Sequence, residues 1–177
     1  MGRNAKIISK SCILGVDFLI FVILGTQDKP FTRILKALEK EIKKENIQEK
    51  VIVQAGCTNF KSKYMEIHDY LDMKTFNQYI KDCDYVITHG GVGSIIDSLK
   101  KNKKILVVPR KKEYDEHEND HQIQITEKFT KMGYIISCNN TKDLISKIQE
   151  LKTFQPKKFK SNNKKMVENL ENYIDNL

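Results

Sequence analysis

The chain has 177 residues, of which 40% are apolar and 31% charged, a composition that excludes a disordered chain and predicts one compact soluble domain. The formal net charge of +8 fits either ordinary solvated lysines or attraction to a phosphorylated substrate or an anionic membrane surface. No recognised nucleic-acid-binding motif occurs, so nucleic acid is excluded as an expected partner.

The four cysteines form no CxxC pair, which argues against a zinc cluster and a redox dithiol. Cys83 and Cys138 are expected to be core thiols of a protein in the reducing cytoplasm. The most apolar run, residues 12–24, has only thirteen residues and contains Asp17, so it is too short for a transmembrane helix. It also lacks the small-residue cleavage site of a signal peptide.

The first half of the chain predicts strands and helices in alternation. Residues 1–19 show no clear period and are treated as an N-terminal extension, next to a buried strand that ends at Leu24. Pro30 then opens a helix with apolar residues on one face and Lys and Glu on the other. Those apolar residues are Phe31, Ile34, Leu35, Leu38 and Ile42. The elements after it are a strand over 51–55, a short strand within 65–71 and a short helix over 76–80.

The second half continues the same alternation. Gly133 is expected to end one helix as its C-cap, and Thr141 to cap the next helix. An apolar pattern at near-helical spacing close to the C-terminus predicts a terminal helix, with Met166, Leu170 and Ile174 on its apolar face. The predicted strands cover 85–88, 105–108 and 134–137, and the predicted helices cover 92–100, 122–131 and 141–151.

This alternation predicts an α/β fold with a Rossmann-like parallel sheet and helices on both faces, formed by residues 20–177. In such a sheet the ligand lies beyond the carboxyl ends of the strands. Four polar segments follow predicted strands, so they should meet at one edge of the sheet. They are Gly25-Thr26-Gln27, Gly56-Cys57-Thr58, His89-Gly90-Gly91 and Pro109-Arg110. The sequence therefore predicts a ligand site at this edge.

The glycine turn after the strand at 85–88 is suited to a phosphate. Glycines let the backbone approach a ligand closely, and the helix that follows directs unpaired N–H groups and a positive dipole end at it. The turn is not a dinucleotide fingerprint, because Ile96 stands where the third glycine belongs, and no P-loop occurs. Without a ligand, such a turn is also an ordinary strand-to-helix connection.

His117 and His121 complete a literal HExxH match, the motif in which two histidines on one helix face bind zinc. No apolar helix precedes the match and no third ligand is marked, so we expect no metal site. The alternative is that Asn119, His121 and Gln122 offer polar contacts from a helix start.

His89 and Asp97 each allow two interpretations. His89 is either a structural histidine or, between a strand end and two glycines, a residue that faces a ligand. Asp97 is either a helix-surface acid or a carboxylate that accepts hydrogen bonds from the vicinal hydroxyls of a sugar.

Four segments together carry a resemblance to a known family. They are Leu24-Gly-Thr-Gln-Asp-Lys-Pro-Phe31, Thr88-His-Gly-Gly-Val-Gly-Ser94, Val107-Val-Pro-Arg110 and Asn119-Asp-His-Gln122. Over about residues 20–151 the chain resembles the C-terminal domain of glycosyltransferase family 28. This resemblance implies the C-terminal half of a GT-B glycosyltransferase, and a chain of this length has room for only one half.

A single half resembles the donor-binding subunits of split transferases, which act in bacterial capsule and exopolysaccharide synthesis and in dolichol-linked UDP-N-acetylglucosamine transfer. The resemblance implies inverting transfer of galactose or N-acetylglucosamine from a UDP-sugar to a lipid-linked saccharide acceptor, nearest to β-1,4-galactosyl transfer. A membrane-associated partner subunit would supply the acceptor-binding half and hold the chain at the inner face of the membrane. No cofactor is implied, and no Asp-x-Asp metal motif occurs. The alternatives are a non-catalytic accessory subunit of a transferase and a sugar-nucleotide epimerase or hydrolase.

The resemblance also implies a set of substrate-binding residues. Asp97 stands where the family usually has a glutamate that holds the ribose hydroxyls, one methylene longer. No decisive general base is marked, and His89 is the one candidate for a catalytic role. The implied contacts are Gly25, Thr26 and Gln27 as the loop facing the donor phosphates; His89, Gly90, Gly91, Gly93 and Ser94 at the diphosphate; Asp97 at the ribose; Arg110 at the uracil pocket; and Asn119, His121 and Gln122 at the donor sugar.

Overall fold

The computed structural model describes residues 18–159, which form one six-stranded sheet in the order β3-β2-β1-β4-β5-β6. Every pairing in the sheet is parallel. The predicted α/β class with a parallel sheet is therefore confirmed. The strands are β1 (Leu19–Ile23), β2 (Lys50–Gln54), β3 (Glu66–His68), β4 (Tyr85–Thr88), β5 (Lys104–Val107) and β6 (Ile136–Ser137).

The strand order reverses at β1, which pairs with β2 on one side and β4 on the other. Ile20 is in register with Val51 of β2 and with Tyr85 of β4. Because all the strands run the same way, their carboxyl ends lie at one edge, as the sequence predicted. A crevice at such a reversal is where parallel sheets bind ligands.

Helices cover both faces of the sheet and divide its core into two layers. In β1, Ile20 and Val22 belong to the layer that includes α1 and α5, whereas Phe21 and Ile23 belong to the opposite layer. This alternation follows from the two-residue period of a strand, and both sets are apolar because both faces are covered. The helices are α1 (Thr32–Lys43), α2 (Met73–Asp82), α3 (Val92–Lys100), α4 (His121–Lys131) and α5 (Leu144–Thr153).

Two helix starts differ from the prediction. Helix α1 begins at Thr32, and the N–H of Phe31 before it donates to the Thr58 Oγ1 atom at 2.9 Å. The segment predicted to be capped by Thr141 begins instead with a 3-10 turn, and the Asn140 Oδ1 atom accepts from the backbone N–H of Lys142. Thr141 is therefore not the cap, because asparagine one position earlier already offers a short side-chain acceptor.

Several other expectations are confirmed within the described part of the chain. Gly133 follows α4 with a φ of +76°, the left-handed conformation that suits glycine at a helix end. Cys83 and Cys138 are buried thiols. No helix among residues 18–159 is long and apolar enough to cross a membrane. The predicted N-terminal extension, up to residue 17, and the predicted terminal helix lie outside the described residues.

Candidate functional site

The candidate site lies where the loops after β1, β4 and β5 meet. The His89 N–H donates to the Ile23 carbonyl at 3.2 Å, and the Val108 N–H donates to the Thr88 carbonyl at 2.8 Å. These bonds continue the ladder one residue beyond each strand, so the glycine turn leaves the sheet beside the β1 loop. The sequence-predicted segments at 25–27, 89–91 and 109–110 are thus brought together.

The His89 imidazole fills the space between two glycines. A Cβ atom at Gly25 would lie 2.6 Å from the His89 Nε2 atom, and a Cβ atom at Gly91 would lie 2.2 Å from it. Gly25 also has a φ of +78°, where a side chain would be strained. Both glycines are therefore required by the packing of the ring, before any ligand is considered.

Burial sets the protonation state of His89. It lowers the pKa of the imidazole to about 4, so the ring is neutral at pH 7. The Nδ1 atom lies 3.3 Å from the Ile23 carbonyl oxygen, which can only accept, and this contact assigns the proton to Nδ1. The unprotonated Nε2 atom then faces Gly25 and Gly91.

Gln122 ties the glycine turn to the β5 loop. Its Oε1 atom accepts from the N–H of Gly90 at 3.0 Å and from the N–H of Arg110 at 3.1 Å. The side chain is only 6% exposed, and a Cβ atom at Gly90 would lie 2.6 Å from that of Gln122. The resemblance placed Gln122 at the donor sugar. The Oε1 atom does not take that role in the structure, because the buried backbone N–H groups of Gly90 and Arg110 already donate to it.

The first turn of α3 is the open part of the site. Gly91 precedes the helix without a side-chain cap, and the first helical hydrogen bond reaches it from the Ile95 N–H at 3.3 Å. The N–H groups of Val92, Gly93 and Ser94 are thus left for an outside acceptor. A Cβ atom at Gly93 would meet nothing within 4 Å. Exposed N–H groups at a helix start are the arrangement that binds phosphate.

Asp97 lies on the exposed surface of α3, four residues after Gly93. Residues four apart on a helix lie on the same side, so its carboxylate is one turn from the open N–H groups. This position suits a polar group attached to a bound phosphate.

Arg110 does not take its predicted place at a uracil pocket. Its side chain has no exposed surface, and its guanidinium donates to the backbone carbonyls of Lys29, Glu116 and Leu24 at 2.6, 3.1 and 2.8 Å. The guanidinium also stacks on the Phe31 ring, 5.0 Å from its centroid. Arg110 therefore holds the β1 and β5 loops together from inside.

A second set of contacts, which joins the β5 loop to the β1 loop and to the start of α1, was not foreseen from the sequence. Arg33 binds the buried Glu116 carboxylate with two hydrogen bonds, of 2.9 and 2.8 Å, and donates to the Pro109 carbonyl. Lys29 pairs with Asp115 and Glu118 across the same gap. Such pairs join residues more than eighty positions apart, and no local pattern marks them.

The HExxH match does not lie on one helix. Helix α4 begins at His121, whereas His117 belongs to the preceding loop, where its Nδ1 atom accepts from the Asn119 N–H at 3.2 Å. Among residues 18–159 no group of three His, Cys, Asp or Glu side chains is placed to hold a metal. Asn119 in turn accepts from the His121 N–H through Oδ1 in the turn before α4, whose N-cap residue, Asp120, makes no side-chain capping bond. His121 is half-buried at the edge of the site.

Thr26 is exposed and Gln27 half-buried in the β1 loop, so both are accessible beside the glycine turn. Two cavities among the described residues lie elsewhere, one of about 820 Å³ beside α1 and one of about 620 Å³ at the amino end of the strands. We place the site at the glycine turn nevertheless, because open N–H donors, not volume, are what bind a phosphate.

A six-stranded parallel sheet in this order, with helices on both faces, has the Rossmann-like architecture found in the halves of GT-B glycosyltransferases. The family model "Glycosyltransferase family 28 C-terminal domain" matches residues 19–177. The chain therefore belongs to this family, as its sequence motifs indicated.

Curated relatives include the UDP-N-acetylglucosamine transferase subunit ALG13 of Candida albicans, 38% identical over 46% of this chain and 26% of the relative. The subunit of the same name from Saccharomyces cerevisiae is 34% identical over 61% of this chain and 55% of the relative. The chain thus spans about a quarter to about half the length of these relatives.

Solved structures agree on the fold. A solution structure of ALG13 has a TM-score of 0.58 and 24% identity, and the match covers 87% of this chain and 94% of that one. The kitacinnamycin glycosyltransferase has a TM-score of 0.62 and 18% identity, over 86% of this chain and 39% of that one. Acinetobacter baumannii MurG has a TM-score of 0.55 and 13% identity, over 79% and 43%. The fold corresponds to one half of the two longer enzymes.

Proposed function

We propose that the chain is the donor-binding subunit of an inverting glycosyltransferase, which transfers a hexose from a UDP-sugar to a polyprenyl-diphosphate-linked acceptor with a membrane-associated partner. The observation that carries this proposal is the open first turn of α3, which has no side-chain cap and has free space around Gly93. Family membership supports a sugar nucleotide as the anion. The subunit names of the relatives support a partner.

N-acetylglucosamine is the donor sugar that the relatives favour, since those named above are called UDP-N-acetylglucosamine transferase subunits. Galactose, with transfer of the β-1,4 type in capsule or exopolysaccharide synthesis, stays a second prediction from the sequence. The two sugars differ at C2 and C4, so the contacts from the loops after β1 and β5 would decide between them.

In this proposal the diphosphate binds at the N–H groups of α3, near Gly93 and Ser94, and Asp97 accepts from the ribose hydroxyls. Thr26 and Gln27 close the other side of the diphosphate. Asn119 and His121 are placed at the donor sugar. The α3 dipole and its N–H groups are fixed before the reaction, so they need no rearrangement when charge develops on the leaving group.

The acceptor hydroxyl oxygen forms a bond to the anomeric carbon while the bond from that carbon to the diphosphate oxygen breaks, and UDP leaves with the bonding electrons. The proton of the acceptor hydroxyl passes to a general base. His89 is a poor candidate, because its pKa of about 4 makes it a weak base and its Nε2 atom is packed between glycines. We assign that base to the acceptor-binding partner.

The proposal is tested by co-purifying the chain with its membrane-associated partner and assaying UDP-N-acetylglucosamine and UDP-galactose on a lipid-linked acceptor. We expect transfer from one of them, and loss of transfer when Gly93→Ala replaces the wild-type chain. A non-catalytic accessory subunit would instead keep its stimulating effect with Gly93→Ala. Full transfer by the purified chain without any partner would contradict the split-enzyme proposal.

A further inference from the structure

A groove of about 820 Å³ runs along α1, on the opposite face of the sheet from α3. One wall is α1 itself, and the other is formed by Thr141, Lys142 and Ile145. Tyr114, which is 53% exposed, lines the groove from the β5 loop. The groove takes no part in the donor site, and its volume is within the range of ligand-binding clefts.

The groove carries an excess of positive charge. Five cations and two carboxylates line it, and both carboxylates are already engaged. Glu116 is bound by Arg33, and Glu41 is bound by Lys44 and by Asn46. Within residues 18–159, three of the lining cations have no ion-pair partner, and these are Lys36, Lys40 and Lys142.

The arrangement of these three lysines specifies the shape of an anion that would fit. Lys36 and Lys40 lie one turn apart on α1, which separates them by about 6 Å along the helix axis. Lys142 faces the same groove from the other wall. In an extended peptide, side chains on one face repeat every two residues, or about 6.7 Å. Carboxylates at alternate positions of an extended chain therefore match the lysine spacing.

We propose that this groove binds an extended acidic segment of a partner protein, with carboxylates at alternate residues and an apolar or aromatic residue against Tyr114. A segment held between two walls meets cations on both sides, whereas a flat membrane surface would meet only the rims of a concave groove. Recognition of acidic segments by basic clusters is a recurring mode of peptide binding. The surface lies apart from α3, so it does not depend on the proposed donor site.

The test uses the full chain and a fluorescein-labelled peptide of about eight residues in which glutamate alternates with serine and one tyrosine follows. Binding is measured by fluorescence anisotropy at low and at high salt. We expect salt-sensitive binding that weakens by about tenfold in the triple variant Lys36→Gln, Lys40→Gln, Lys142→Gln, since each exposed ion pair contributes modestly. UDP affinity should not change in that variant.

The matched control is Lys61→Gln, Lys81→Gln, Lys100→Gln, which removes the same charge from exposed lysines outside the groove. It should bind the peptide like the wild type. Equal weakening in both triple variants, or no peptide binding by the wild type, would overturn the proposal. Groove-dependent binding to phosphatidylserine vesicles without peptide binding would overturn it in favour of a membrane surface.

Discussion

Gly93→Ala separates ligand binding from folding better than any other substitution at the site. Gly93 lies in the second position of α3, and a methyl group there would meet no protein atom within 4 Å. Alanine is also the better helix former, by up to about 1 kcal/mol in a helix interior. The folded protein should therefore be as stable as the wild type, or slightly more stable.

A bound diphosphate changes this expectation. The added methyl group would occupy the space in which a phosphate oxygen approaches the N–H groups of the first turn of α3. Loss or lengthening of one such charge-assisted hydrogen bond costs about 1.5–3 kcal/mol. At 1.4 kcal/mol per tenfold, UDP affinity should fall by about 10- to 100-fold.

The assay is a chemical-shift titration of the isotope-labelled chain with UDP, paired with a thermal melt of each variant. Lys74→Ala is the matched control, because Lys74 is exposed and holds the same second position in α2. It should leave UDP affinity unchanged. A Gly93→Ala variant that melts like the wild type and binds UDP equally well would refute a phosphate site at this turn.

Three further predictions concern the surroundings of the turn. Gln122→Leu leaves the buried N–H groups of Gly90 and Arg110 unpaired, so urea unfolding should show a free energy of unfolding lower by about 2–4 kcal/mol. Gln122→Glu should lower it less, because the side chain keeps an acceptor oxygen. His89 has a folded-state pKa of about 4, below its ordinary 6.5, so the unfolded chain binds more protons between these values. Stability should fall by up to about 3 kcal/mol as pH drops from 6.5 to 4, and urea melts of His89→Asn should lack that part of the pH dependence. Asp97→Glu should tighten UDP binding by up to about tenfold, since the longer side chain reaches the ribose hydroxyls. In parallel titrations the affinity for 2′-deoxy-UDP should not change. Equal gains in affinity for both nucleotides would exclude the ribose contact.

The fold was largely predictable because a parallel sheet covered on both faces needs unbroken apolar strands. The runs that include Ile20–Ile23 and Ile105–Val107 are of this kind, and they stand out against a lysine-rich background. Because all the strands are parallel, their carboxyl ends must lie at the same edge of the sheet, and no further information is needed to predict this. Element bounds were less predictable, as at Thr32, because they depend on contacts such as the one between Phe31 and Thr58 of a distant loop.

The roles of individual polar residues at the site were harder to predict. Sequence position places Arg110 and Gln122 at the correct edge, but it does not determine whether a side chain turns outward to a ligand or inward to backbone. The structure turns both inward, where they satisfy buried carbonyl and N–H groups. The Arg33–Glu116 pair was missed for a related reason, since pairing across eighty-three residues leaves no periodic signal.

The glycines of the site are required for different physical reasons, and only one of these reasons indicates a ligand. Gly25 and Gly91 make room for the His89 ring, and Gly90 makes room for Gln122. These three would be needed even in a protein that bound nothing. Gly93 has no neighbour that requires it, and glycine in a helix costs stability relative to alanine. A residue that costs stability without serving the fold is most simply explained by what must come close to it, so the ligand should contact α3 at Gly93.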